Sequence, residues 1–107
     1  MESKGAILAL AALAQETRLG VFRLLVREGP RGLPAGEIAG RLGGAPATLS
    51  FHLGQLERAG LLGAQRVSRR IFYAVDLEGT RELLAYLTED CCRGRPELCG
   101  GPTRRPN

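Results

Sequence analysis

A chain of 107 residues, 44% hydrophobic and 24% charged, is one small globular domain whose core is modest and which assembly can enlarge. Fifteen Lys and Arg against eleven Asp and Glu leave a net charge of +4, which favours a polyanionic partner. A single histidine and no Cys-x-x-Cys leave little for acid–base or dithiol chemistry, so an enzyme is not expected and no catalytic residue is assigned.

The apolar run Gly5 to Ala14 is too short to span a bilayer, and the leading Met-Glu-Ser-Lys carries no net positive charge. The run continues into Leu19 and Phe22, so it reads as a first helix over Lys4 to Ala14, with no membrane partner. It is apolar nearly all round, which calls for burial on a second side, as in a dimer. A second helix is predicted from Glu16 to Arg27, with Leu19, Phe22 and Val26 at helical spacing and Gly29-Pro30 as its stop. Arg31 to Leu33 is a short connection.

Pro34 suits the first position of a third helix carrying Ile38 and Leu42, which Gly43-Gly44 ends. Pro46 opens a fourth helix. Leu49, Leu53 and Leu56 form its buried stripe, and Gly60 follows its end. Two short helices around a Gly-containing turn have the form of a helix-turn-helix. The period then changes, and Ala64 to Val67 and Ile71 to Val75 read as strands. Their turn lacks the Asn-Gly or Asp-Gly that favours a tight hairpin, but Arg66, Arg69 and Arg70 make it strongly basic. Such a hairpin after a reading helix is a wing, able to reach phosphates or the minor groove. Asp76 is placed to cap a fifth helix that runs to about Glu89 with Leu83, Leu84 and Leu87 on its apolar face. The fold class expected is mainly α with a β-hairpin wing: a homodimeric winged helix-turn-helix. Residues 1–90 form the DNA-binding and dimerisation domain, and 91–107 form a flexible tail rich in Gly, Pro and Arg.

Away from the leucine stripe, the fourth helix offers Thr48, Ser50, Phe51, Gln55 and Arg58. Small and hydrogen-bonding side chains near a helix N-terminus suit docking in the major groove. Gln55 can pair with adenine edges, and Thr48 and Ser50 with a base or a phosphate. Phe51 either meets a thymine methyl or packs against the third helix. His52 lies at the edge of the stripe. It is either a phosphate or base contact, or a packing histidine bonded to a neighbouring backbone group.

The run Thr48-Leu49-Ser50-Phe51-His52-Leu53-Gly54-Gln55-Leu56-Glu57-Arg58-Ala59-Gly60-Leu61-Leu62, with the basic hairpin ending Phe72-Tyr73, resembles the ArsR/SmtB family of bacterial arsenical- and metal-responsive winged-helix repressors. Gln15-Glu16-Thr17-Arg18-Leu19 resembles that family's entry into its second helix. The resemblance covers roughly residues 6 to 90. It implies a homodimer built through the first and fifth helices. It also implies binding to double-stranded operator DNA without ligand and release when ligand binds. By position, Ser50 and His52 match the recognition motif, and Arg66, Arg69 and Arg70 match the wing. Two departures stand out. Ser68 occupies the place where many members have a wing glycine, and the third helix carries no Cys-x-Cys.

The three cysteines instead cluster at Cys91, Cys92 and Cys99. Neighbouring Cα atoms about 3.8 Å apart fall short of the usual disulfide span of about 4.4–6.8 Å, so with no secretory signal read at the start, Cys91 and Cys92 are expected as reduced thiols in a cytoplasmic protein. Thiolates select soft ions. Some members of the family bind trivalent arsenic with a Cys-Cys…Cys cluster after the last helix, and this trio resembles it. Arsenic(III) and antimony(III) favour three thiolates in a pyramid, and methylated trivalent arsenic needs as few as two. A closed zinc site wants four ligands. No cofactor is required on this reading. Other soft ions and a thiol redox switch remain alternatives.

Overall fold

The computed structural model describes residues 1–89. Its elements run α1 (Ser3–Leu13), α2 (Glu16–Glu28), β1 (Leu33–Pro34), α3 (Ala35–Leu42), α4 (Pro46–Arg58), β2 (Leu62–Val67), β3 (Arg70–Val75) and α5 (Leu77–Thr88). This is the winged helix-turn-helix expected from the sequence. Local chemistry sets several boundaries. The Gln15 side chain accepts from the Arg18 backbone N–H at 2.9 Å and opens α2. Asp76 does the same for α5, accepting from the Gly79 N–H at 3.0 Å. Pro46 sits in the first turn of α4, where its missing N–H costs nothing. Among the described residues no single helix is long and apolar enough to cross a membrane, and α1 meets α2 at a 98° bend.

The antiparallel sheet has the order β1-β3-β2. The wing register pairs Leu62 with Val75 and Val67 with Arg70, which leaves Ser68 and Arg69 as a two-residue turn. Ser68 has φ +60° and is the one non-glycine residue with positive φ among those described. That pattern matches a type II′ hairpin turn, whose first central position prefers glycine. The hairpin is therefore tight without the glycine, at the expense of an unfavourable backbone angle.

β1 was not expected. Leu33–Pro34 pairs with Tyr73 and Phe72 of β3, and two residues are too few to show alternation. Pro34 consequently precedes α3 as its N-cap instead of opening it. Gly32 makes this pairing feasible. Its φ is +74°, and a Cβ there would collide with the Tyr73 carbonyl oxygen.

Leu25, Ile38, Leu53, Leu56 and Leu62 are fully buried and bring α2, α3, α4 and the start of β2 around one core. From α1, Ala6, Ala9 and Ala12 pack against it. Their small size lets that helix lie close while Ile7, Leu8 and Leu10 face outward. Three expected stripes need correction. In α2 the buried residues are Val21, Leu24 and Leu25, whereas Leu19 and Val26 are about half exposed. Both sets have helical spacing, and packing chose the phase. In α3, Leu42 is the last residue and is exposed, so Ile38 anchors the helix with Ala35 and Ala39 packed beside it. In α5, Leu83 is buried but Leu84 and Leu87 are exposed, and Tyr86 packs on the core.

Candidate nucleic-acid interface

Burial of Leu49, Leu53 and Leu56 fixes the rotation of α4 and turns Thr48, Ser50, Phe51 and Arg58 to the surface, with Gln55 half-buried. Phe51 is 57% exposed, so it stands on the outer face and is not buried against α3. The Arg58 guanidinium donates to Gln55 Oε1 at 2.8 Å.

Across from α4 stand the wing arginines. Arg66, Arg69 and Arg70 are all exposed. The Arg70 guanidinium lies over the Phe72 ring, 5.7 Å from its centroid, a cation–π contact that holds the stem while leaving the charge accessible. A cleft of about 420 Å³ separates wing from helix, with Ser50 on one side, Arg69 and Arg70 on the other, and Ala35, Gly36 and Tyr73 also lining it. The structure thus brings the reading helix and the basic hairpin to two sides of one groove. Among the described residues, ion pairs form at Arg41, with Glu28 at 3.2 Å and Glu37 at 3.8 Å. None engages Arg58, Arg66, Arg69 or Arg70, so their charge is free for phosphates.

His52 does not join that surface. It is 8% exposed, and its Nδ1 lies 2.9 Å from Arg18 Nη1. Arginine only donates, so Nδ1 is the acceptor and the ring is neutral with its proton on Nε2. Burial first, and the Arg18 charge second, hold its pKa below the ordinary histidine value. The expectation of a direct DNA contact is corrected here. His52 is the packing histidine, bonded to a side chain and not to backbone. Arg18 itself escaped sequence reasoning, where it figured only as part of the resemblance at the start of α2. Its one local signal was a cation in a helix that the core holds on one face.

Cys91, Cys92 and Cys99 lie outside the described residues. Among the described residues no group of three or more His, Cys, Asp or Glu side chains is placed to hold a metal ion.

An exposed polar helix, set in a helix-turn-helix and flanked by a basic hairpin, defines a winged-helix DNA-binding regulator. Residues 13–62 match the helix-turn-helix domain family. The chain is 29% identical over 91 residues to the transcriptional activator HlyU of Vibrio cholerae, spanning 85% of this chain and 82% of that protein. The solved structure of HlyU from Vibrio cholerae superposes with a TM-score of 0.63 at 32% identity, covering 81% of this chain and 97% of that one. The same protein, solved in its reduced form, gives 0.62 at 28%, covering 85% and 93%. An ArsR family transcriptional regulator gives 0.71 at 25%, covering 85% and 91%. The homodimeric winged helix-turn-helix domain of Mb0332 from Mycobacterium bovis, described as a possible ArsR-family regulator, shares the fold at 0.66 and 21%, covering 97% and 88%. The chain is a transcriptional regulator of the ArsR/HlyU winged-helix type.

Proposed function

We propose that this protein is a cytoplasmic, ligand-released transcriptional repressor that binds operator DNA as a homodimer through α1 and α5. Trivalent arsenic bound by Cys91, Cys92 and Cys99 is its effector. The observation that carries the DNA-binding half is the groove with Ser50 on one wall and Arg69 and Arg70 on the other. Thr48, Phe51 and Gln55 read base edges, while Arg58 and Arg66 add phosphate contacts. His52 supports α4 from within.

The dimer reading is supported by two exposed apolar faces. Ile7, Leu8 and Leu10 on α1 and Leu84 and Leu87 on α5 are all exposed, and the two helices pack side by side. Mb0332, which shares the fold, is homodimeric. Pairing through these helices holds two reading heads at a fixed spacing, which must match half-sites about 34 Å apart.

The donor set fits the proposed effector. Three thiols within nine residues, with no histidine nearby, suit a pyramidal three-thiolate arsenic or antimony site better than zinc, which takes four ligands. The cysteines follow α5 directly, so a ligand that ties them together acts at the end of a dimer helix. Binding that favours a different spacing lowers DNA affinity by the coupling energy, typically about 1–3 kcal/mol. Fluorescence anisotropy on the native upstream region, with and without arsenite, tests the reading. Specific binding is expected to fall with arsenite, while unchanged binding at saturation rejects arsenic sensing.

A second reading uses the same thiols as a redox switch. It is favoured by one observation: the similar HlyU has been solved in a form distinguished as reduced. Release by oxidant with indifference to arsenite selects it. HlyU is also named an activator, so the sign of regulation is read from a promoter reporter.

A further inference from the structure

We propose that Arg18 and His52 are positioning residues that lock the recognition helix α4 to α1. This role rests on the DNA-binding reading above. Three elements meet at one guanidinium. Arg18 belongs to α2, its Nε donates to the Ala12 carbonyl of α1 at 2.7 Å, and its Nη1 donates to His52 Nδ1 of α4 at 2.9 Å. Ala12 closes the helix whose other face carries Ile7, Leu8 and Leu10, and His52 follows Ser50 and Phe51 on the reading helix. One side chain therefore spans from the apolar helix proposed to pair the protomers to the residues proposed to read bases. The Phe51 ring stands edge-on to the His52 ring, centroids 5.7 Å apart, so the orientation of His52 also sets an outward-facing residue.

The lock requires a neutral ring. Protonation turns Nδ1 into a donor opposite another donor and places two cations side by side in a buried position. Elements α1, α2, α3 and β2 all pack against α4. Arg18 is the one charged group that acts on the ring, and no carboxylate among the described residues offsets it. The lock is therefore complete above the unfolded-state histidine value of about 6.5, and is lost as the pH falls further, through the ring's lowered folded-state value. Specific DNA affinity then declines in acid. A histidine touching phosphate does the opposite, because protonation adds a cation to the contact.

The test uses the full chain and compares the native upstream duplex with a random duplex between pH 7.5 and 5.5, with folding followed by circular dichroism. Wild-type specific affinity is expected to fall severalfold, with random-duplex binding unchanged. His52→Asn, whose Oδ1 can accept from Arg18 without titrating, should keep specific binding and lose that pH response. Arg18→Lys, which keeps the charge but not the two-way bridge, should lose about tenfold in specific affinity at pH 7.5 while remaining folded. Affinity that rises or holds in acid, a His52→Asn response equal to wild type, or an undiminished Arg18→Lys overturns the proposal. Nitrogen-15 NMR of the imidazole without DNA separates this role from the DNA reading. An unprotonated Nδ1 with a lowered pKa is expected, and a protonated Nδ1 at neutral pH overturns the lock even if DNA binding stands.

Discussion

The Arg58 guanidinium holds Gln55 Oε1 at 2.8 Å within the last turn of the recognition helix. The carboxamide oxygen keeps a second lone pair and its NH₂ is left to donate. Adenine needs both from a bidentate glutamine. Gln55 can therefore accept from adenine N6 and donate to N7 while Arg58 holds the carboxamide in place. Gln55→Ala is expected to cost about 1–3 kcal/mol on the operator and little on random DNA. Arg58→Ala is expected to weaken both duplexes alike and to reduce the salt slope by about 1. Anisotropy titrations at several salt concentrations separate the two effects.

Ser68 carries the turn of the wing at φ +60° without the glycine that suits it. Ser68→Gly relieves about 1–2 kcal/mol of left-handed backbone cost. It also adds unfolded-state freedom of about 0.5–1 kcal/mol. A net gain of between zero and about 1.5 kcal/mol is expected in urea denaturation, with DNA affinity unchanged because Arg69 and Arg70 keep their places.

Gly32 has the opposite character. Its positive φ and its approach to the Tyr73 carbonyl leave no room for a side chain. Gly32→Ala is expected to cost about 2 kcal/mol or more, since it combines backbone strain with a clash that separates β1 from β3. Urea midpoints measure this, and a neutral Ala variant contradicts the described pairing.

Ile7 and Leu84 are exposed on helices that pack together. A lysine at either position should leave the protomer folded, because neither belongs to the core, yet shift sedimentation toward monomer and abolish cooperative operator binding. A dimer that survives Ile7→Lys together with Leu84→Lys places the interface elsewhere.

The helix-turn-helix and wing were legible because their signals are local. Leu49, Leu53 and Leu56 share one period, Pro46 and Asp76 mark helix starts, and Arg66, Arg69 and Arg70 crowd one hairpin. What escaped depends on contacts between distant residues. The phase of α2 is ambiguous in a helix where Leu19 and Val26 compete with Val21 and Leu25, and packing against α4 and β3 decides it. β1 exists only because β3 arrives beside it. His52 changed from a surface candidate to a buried acceptor because Arg18, thirty-four positions away, reaches it. The groove between Ser50 and Arg70 likewise needed the register of the hairpin.

A bound effector and a bound operator must oppose each other by the same factor if they act on one equilibrium. Arsenite affinity measured for the free dimer and for the operator-bound dimer tests this directly. Operator should weaken arsenite binding as many-fold as arsenite weakens operator binding, with Cys99→Ser abolishing both effects. Equal arsenite affinity in the two states contradicts ligand-released repression.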